Sequence, residues 1–186
     1  TTISLSTDRA GRRFILGNYH RSISFCTIGN LEDGQHRSFE IEGIHTTQFR
    51  PGFNQVLLGG TEGTTWVSLH DAESFDRISH WQNRQSSQYR EQYAGAYGWT
   101  NKKDTVTVSS DGRRAYVVEQ SGSLRVLAIA PDNQFEELAR LVSLTDGDWA
   151  IIDDQGTYCC SPAAAEKMAF RYRDRALSFA SFDQAF

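Results

Sequence analysis

The feature that most constrains this chain is a unit of three short strand-like runs that recurs three times. In the first unit Ile3-Ser4-Leu5-Ser6-Thr7-Asp8 leads through a glycine turn to Arg13-Phe14-Ile15-Leu16-Gly17, and then to Ser22-Ile23-Ser24-Phe25-Cys26-Thr27-Ile28. The second runs Thr46-Thr47-Gln48-Phe49-Arg50-Pro51-Gly52, Gln55-Val56-Leu57-Leu58-Gly59 and Thr64-Thr65-Trp66-Val67-Ser68-Leu69. The third runs Thr105-Val106-Thr107-Val108-Ser109-Ser110-Asp111-Gly112, Arg114-Ala115-Tyr116-Val117-Val118 and Ser123-Leu124-Arg125-Val126-Leu127-Ala128-Ile129. The runs alternate or are rich in β-branched residues, which suits a pleated, half-buried strand. Pro51-Gly52 and Asp111-Gly112 supply tight turns, because glycine takes positive φ without a steric cost. No helical period competes before residue 160.

Ile15, Leu57 and Tyr116 are equivalent positions, spaced 42 and then 59 residues apart, so the second interval carries 17 extra residues. A four-stranded unit of about 40–45 residues is the spacing of propeller blades. Fourth strands are weaker, at Arg37-Ser38-Phe39-Glu40-Ile41 and Glu137-Leu138-Ala139-Arg140-Leu141-Val142. The expected fold is all-β, with propeller-type blades of four antiparallel strands over 1–142, approximately 1–43, 44–104 and 105–142. A C-terminal strand pair and short helix follow over 143–186. Three blades fall below the minimum of about four for a closed ring. Either the terminal segment supplies a fourth sheet, or the chain is part of a longer propeller.

The extra residues fall within 78–104, which hold one aliphatic residue, Ile78, and five aromatics, Trp81, Tyr89, Tyr93, Tyr97 and Trp99. Such a segment cannot build its own core. It is either a connection whose rings pack over the blade rims or a recognition loop, since Tyr and Trp anchor interfaces at low entropic cost. Whatever specificity the domain has is expected here.

The chain's 186 residues suit one domain. Nineteen basic and 23 acidic side chains leave a net charge of −4, without the positive stripe a phosphate backbone needs, so nucleic acid is not an expected partner. No apolar run approaches the roughly 20 residues that span a bilayer. Three cysteines are an odd count with no pairing pattern, which argues against a secreted disulfide scaffold. With no signal peptide in the sequence, the expected location is cytoplasmic. The chain opens on Thr1 rather than Met, so its natural start is expected elsewhere.

Little chemistry is legible. His70 and Asp71 are strand neighbours whose side chains point to opposite faces, so they do not form an acid–base pair. His20, His36, His45 and His80 lack metal-ligand spacing. Cys159 and Cys160 are adjacent, a strained arrangement for a disulfide, and read as one buried and one exposed residue; Cys26 reads as core. Asp146, Asp148, Asp153 and Asp154 gather near two turns without a calcium-loop pattern. No catalytic residue, cofactor or metal is expected, and no small-molecule substrate is evident.

After Leu144, Thr145-Asp146-Gly147-Asp148-Trp149 opens a turn, a strand, a second turn at Gly156, a strand through Tyr158, and then Ser161-Pro162. Ser161 reads as a helix N-cap with Pro162 at the first helical position, and Ala165, Met168, Ala169 and Tyr172 as one apolar helix face. This stretch resembles a segment of bacterial WD-repeat β-propeller proteins, including those that carry caspase-like peptidase or NTPase domains. Asp146, Gly147, Asp148, Trp149, Gly156, Tyr158, Ser161 and Pro162 occupy its Asp-Gly-Asp-Trp, Gly-aromatic and Ser-Pro positions. The run from Leu177 to Phe186 looks like the start of that family's longer tail. The resemblance implies a propeller that continues past this chain and an attached effector that it regulates. The blades diverge from standard repeats: only Val67 to Ser74 matches a strand ending, with His70 where Trp is expected. Trp149 is expected to bury against Tyr158 or the helix.

The leading function is a non-catalytic scaffold, whose partner is another protein or the remaining blades. The alternatives are a small propeller enzyme drawing on channel-facing groups such as His20, His45 and Asp111, and a carbohydrate-binding propeller stacking sugars on Trp66, Trp81 or Trp99.

Overall fold

The computed structural model describes residues 2–20, 23–62, 64–83, 105–119, 122–172 and 175–178. The first sheet joins β1 (Thr2–Thr7), β2 (Arg13–His20), β3 (Ile23–Asn30) and β4 (His36–Glu40) in sequence order, each strand antiparallel to the next. The second repeats this with β5 (Ile44–Phe49), β6 (Gln55–Glu62), β7 (Thr64–Asp71) and β8 (Arg77–Gln82). The third begins likewise with β9 (Thr105–Val108), β10 (Arg114–Val118), β11 (Ser123–Ile129) and β12 (Phe135–Ser143). The described residues are thus all-β, built of propeller-type blades with one short α-helix.

The sheets stack face on face through two apolar layers. Ile15, Cys26 and Ile28 of the first sheet meet Ile44, Phe49, Val56, Leu58 and Trp66 of the second. Leu57, Val67 and Leu69, on the second sheet's other face, meet Val106, Ala115, Val117 and Leu127 of the third. The second sheet is therefore covered on both sides, and its β7 is buried almost throughout. Burial in the first layer pushes the Cys26 thiol up to about 12.

The innermost strands β1, β5 and β9 lie side by side and are laced by side chains that reach the next strand's backbone. The Thr47 amide donates to Ser4 Oγ at 3.1 Å and the Phe49 amide to Ser6 Oγ at 3.4 Å. One blade on, the Val106 amide donates to Thr46 Oγ1 at 3.3 Å and the Val108 amide to Gln48 Oε1 at 3.0 Å. Ser4 and Ser6 lie 42 residues before Thr46 and Gln48, the repeat spacing read from Ile15 and Leu57. Gly59 allows close approach at the second layer: a Cβ there would lie 2.2 Å from Val106 Cγ2.

Three sequence expectations need correction. Residues 78–82, read as the opening of the insertion, form most of β8, the outermost strand of the second sheet, with Trp81 paired to Val67. The strands β13 (Trp149–Asp153) and β14 (Tyr158–Cys160) do not stand apart; Leu141 pairs with Ile151, so they extend the third sheet to six strands. An open β12 edge offers a row of free amides and carbonyls, and the following strand takes them up.

The helix is also shorter than expected. α1 spans only Ala164–Lys167, and β15 (Ala169–Tyr172) turns back onto β16 (Arg175–Ser178). Met168 is already extended, so Met168, Ala169 and Tyr172 do not share a helix face with Ala165. One helical turn without a side-chain cap lacks the cooperativity to propagate, and Ser161 is not its N-cap.

Candidate functional site

In sequence, residues 84–104 lie between β8 of the second sheet and β9 of the third. A buried polar cluster sits beside the end of β8. Arg125 is 4% exposed and Glu119 7% exposed, with Nε 3.1 Å from Glu119 Oε1. Arg125 NH1 reaches both carboxylate oxygens of Glu137, at 2.7 and 2.9 Å. Ser123 Oγ donates to Glu119 Oε2 at 2.6 Å, and Asn83 Nδ2 donates to Glu119 Oε1. The Asn83 amide also donates to the Thr65 carbonyl at 2.9 Å. The Arg125 guanidinium lies over the Trp81 ring, 5.7 Å from its centre.

The strand alternation explains why these groups are inside. Ser123, Arg125, Leu127 and Ile129 share the face of β11 that packs on the second sheet. An arginine there must bring counter-charges with it, since an unpaired buried ion is costly. Glu119 and Glu137 supply them from the flanking strand ends. Sequence reasoning passed over this cluster although the alternation placed Arg125 beside Leu127; the signal was available.

Of the aromatics proposed for recognition, Trp81 is placed in β8, half-buried against the Val67–Leu127 layer. Tyr89, Tyr93, Tyr97 and Trp99 lie outside the described residues. Trp66 is buried between the first two sheets, which removes it as a sugar-stacking platform. His45 is the second residue of β5 whereas Asp111 lies in the β9–β10 turn beside the far end of that strand, so they do not converge. No group of three metal-ligating side chains gathers among the described residues.

His70 and Asp71 brace a turn. His70 is buried, with Nδ1 3.0 Å from the Phe75 carbonyl and Nε2 3.0 Å from Ser68 Oγ. Burial holds its pKa below the usual histidine value. Asp71 accepts the Glu73 and Ser74 amides, both at 2.8 Å.

The C-terminal motif residues converge on a clamp. Asp146 and Gly147 both adopt positive φ, turning the chain sharply into β13. Ser161 Oγ donates to Asp148 Oδ1 at 2.8 Å, and Lys167 Nζ donates to Asp148 Oδ2 at 2.6 Å and Asp146 Oδ2 at 3.3 Å. The Ser161 amide donates to the Trp149 carbonyl at 3.0 Å, and the Trp149 amide to Ser161 Oγ at 3.2 Å. The hydrogen bonds from Lys167 and Ser161 hold the Asp148 carboxyl below its usual range. Pro162 lies in the turn before α1, and Gly156 takes positive φ in the β13–β14 turn.

The ring of Trp149 is not buried as expected: the residue is 38% exposed. Tyr158 pairs with Ile152, so it projects on the face opposite Trp149 and Ile151 and cannot cover the indole. Cys159 is exposed and Cys160 half-buried.

At the other end of the blades a cavity of about 720 Å³ opens among Arg50, Phe53, Arg113, Arg114, Pro131 and Leu138. Arg50 ties its walls together: its Nε donates to the Gly112 carbonyl at 2.6 Å and NH1 to Asn133 Oδ1 at 2.8 Å.

No protein-family model matches the chain, and no curated protein matches it by sequence. Among solved structures it is similar to the β-propeller domain of Cps50 (Swd1) from Myceliophteria thermophila, with a TM-score of 0.52 and 14% identity. That match covers 86% of this chain and 51% of the other. It is also similar to the Dos1 propeller, with a TM-score of 0.54 and 11% identity over 85% of this chain and 48% of that one. The chain thus spans about half the length of these propellers, and at such identities the likeness establishes a β-propeller fold.

Proposed function

We propose that this chain is a non-catalytic protein-interaction platform whose recognition segment is residues 84–104. The observation that carries the reading is the anchored root of that segment. Asn83 is held by the Thr65 carbonyl and the Glu119 carboxylate, and Thr105 enters the β9–β10 pairing. A segment rich in Tyr and Trp, joined at both ends to well-anchored strands, has the composition from which protein interfaces are built. Trp81 belongs to β8 rather than to the recognition surface. Likeness of the Asp146–Pro162 motif to that of effector-linked propellers supports a full-length protein in which the platform regulates an attached effector.

The test replaces residues 84–99 with a short Gly-Ser linker and measures both melting and partner capture. The expected outcome is an unchanged melting temperature with loss of the partners retained by the intact chain. Capture of the same partners by the shortened protein refutes the assignment.

A further inference from the structure

The third sheet is wider than the other two, and its added strands carry an apolar face. The register sets Thr105, Val118, Leu124, Leu141, Ile151 and Cys159 opposite one another in a single row across all six strands. Directly paired residues share a face, so the row lies on one side of the sheet. Trp149 joins it from the same strand as Ile151, two residues away. Trp149 is 38% exposed and Ile151 37%, and Cys159 is exposed beside them. The opposite face of β13 is closed: Ala150 is fully buried, and so is Ala164 of α1.

Four strands is the width of the joints between sheets in this fold. β8, outermost in the second sheet, lies against β12 of the third. A sheet stacked on the third in the same way covers the row from Thr105 to Leu141 and ends there. Trp149, Ile151 and Cys159 stand outward of β12, beyond that reach. A Trp and an Ile exposed side by side on an added strand mark a surface made to be covered. Its cover has to come from outside the stack of blades.

The chain itself leads to this place. β16 ends at Ser178, which pairs with Ala169, and Ala169 lies two residues after Lys167. Lys167 Nζ is 2.6 Å from Asp148 Oδ2, and Asp148 precedes Trp149. Residues 179–186, Phe-Ala-Ser-Phe-Asp-Gln-Ala-Phe, therefore start beside the clamp that fixes the backbone of Trp149. Eight residues reach at most about 29 Å, several times the ~4.8 Å between neighbouring strands. Three of the eight are Phe and one is charged. Ser181 and Gln184 have the spacing of a capping box, which predicts a helix start at Phe182 and sets Phe182 and Phe186 one turn apart. A helix this short does not hold itself in water, so its rings need a partner surface as the Trp149 face needs a cover. We propose that residues 179–186 dock on the face formed by Trp149, Ile151 and Cys159, with the Phe182 and Phe186 rings over the indole. This docking is independent of residues 84–104 and of any sheet that packs on the third.

The experiment reads alkylation of Cys159 by N-ethylmaleimide, mapped by tandem mass spectrometry, together with amide hydrogen exchange over 179–186. In the unaltered chain both are expected to be at least about tenfold slower than in urea, the mark of a locally closed segment. The double variant Phe182→Ser, Phe186→Ser is expected to return both to unprotected rates, while Cys26 in the core stays unreactive. The reciprocal variant Trp149→Ser changes a position on the open face of β13 and is expected to release the amides of 179–186 as well. Cys159 reacting as fast in the folded chain as in urea, or unprotected amides throughout 179–186, overturns the proposal. So does protection of Cys159 that survives in the double variant, because a further sheet or a second copy then covers the face. Unchanged exchange of 179–186 in Trp149→Ser overturns it too, and that result stands even where the double variant fails to fold.

Discussion

Replacing Arg125 with Met tests the polar cluster at the root of the recognition segment. Methionine keeps much of the side-chain volume, so the change removes charge and hydrogen bonds rather than opening a large cavity. The carboxylate of Glu119 then stays buried with Ser123 and Asn83 as donors but no counter-charge. Removing one partner of a buried ion pair costs about 3–5 kcal/mol. A domain of this size shifts its melting temperature by about 2–4 °C per kcal/mol, so a drop of roughly 6–20 °C is expected in a circular-dichroism melt. The double variant Glu119→Gln, Arg125→Met removes both charges and is expected to recover most of the loss. The coupling between the two sites, from a double-mutant cycle, should exceed about 1 kcal/mol, as neighbours in one network show. An Arg125→Met protein that melts within about 1 °C of the unaltered chain refutes the claim that the pair is structurally committed.

Gly59→Ala drives a methyl group into Val106 and is expected to destabilise by about 1–3 kcal/mol in urea unfolding, as overpacking does. His70 is neutral in the fold because burial lowers its pKa below 6.5, so its contribution is complete above that pH and declines as the pH falls through the folded value. The decline should be smaller in His70→Gln, read from melts between pH 7 and pH 5. For Asp148 the folded carboxyl is also lowered, so its contribution is complete above the unfolded value of 3.8 and lost as the pH falls below it. The melting difference between the unaltered chain and Asp148→Asn should therefore be present at neutral pH and vanish in acid. Ser161→Ala removes the hydroxyl that joins Asp148 to Trp149 and should raise amide exchange at Trp149 and Ala164.

The repeat of Ile15, Leu57 and Tyr116 was enough to place the blades, because alternation and turn residues are local properties of the chain. Thr46-Thr47-Gln48-Phe49 carries its strand wherever the sheet lies, and Asp71 forms its turn from its own neighbours. The same local reading located the turn at Asp146-Gly147-Asp148 and the strands on either side of Gly156. It failed at residues 78–82, where Ile78 and Trp81 looked sparse in isolation and became strand only through pairing with β7. It failed again at Ala165–Tyr172, where a pattern compatible with a helix was outcompeted by a hairpin.

Sequence alone determined that this is an all-β chain of repeating four-stranded units, because a period of two and the spacing of turns need no distant partner. Which side of each sheet is buried was a tertiary decision. Tyr116 and Leu57 occupy the same repeat position, yet only Leu57 is buried, because the third sheet packs over Leu57 and no described sheet packs over Tyr116. Trp149 has the chemistry of a core residue and lies exposed for the same reason. Arg125 has the chemistry of a surface residue and is buried because Glu119 and Glu137, separated from it in sequence, reach it across adjacent strands. Burial depends on what packs against a face, and that neighbour is set by how sheets stack rather than by the residues of any one strand.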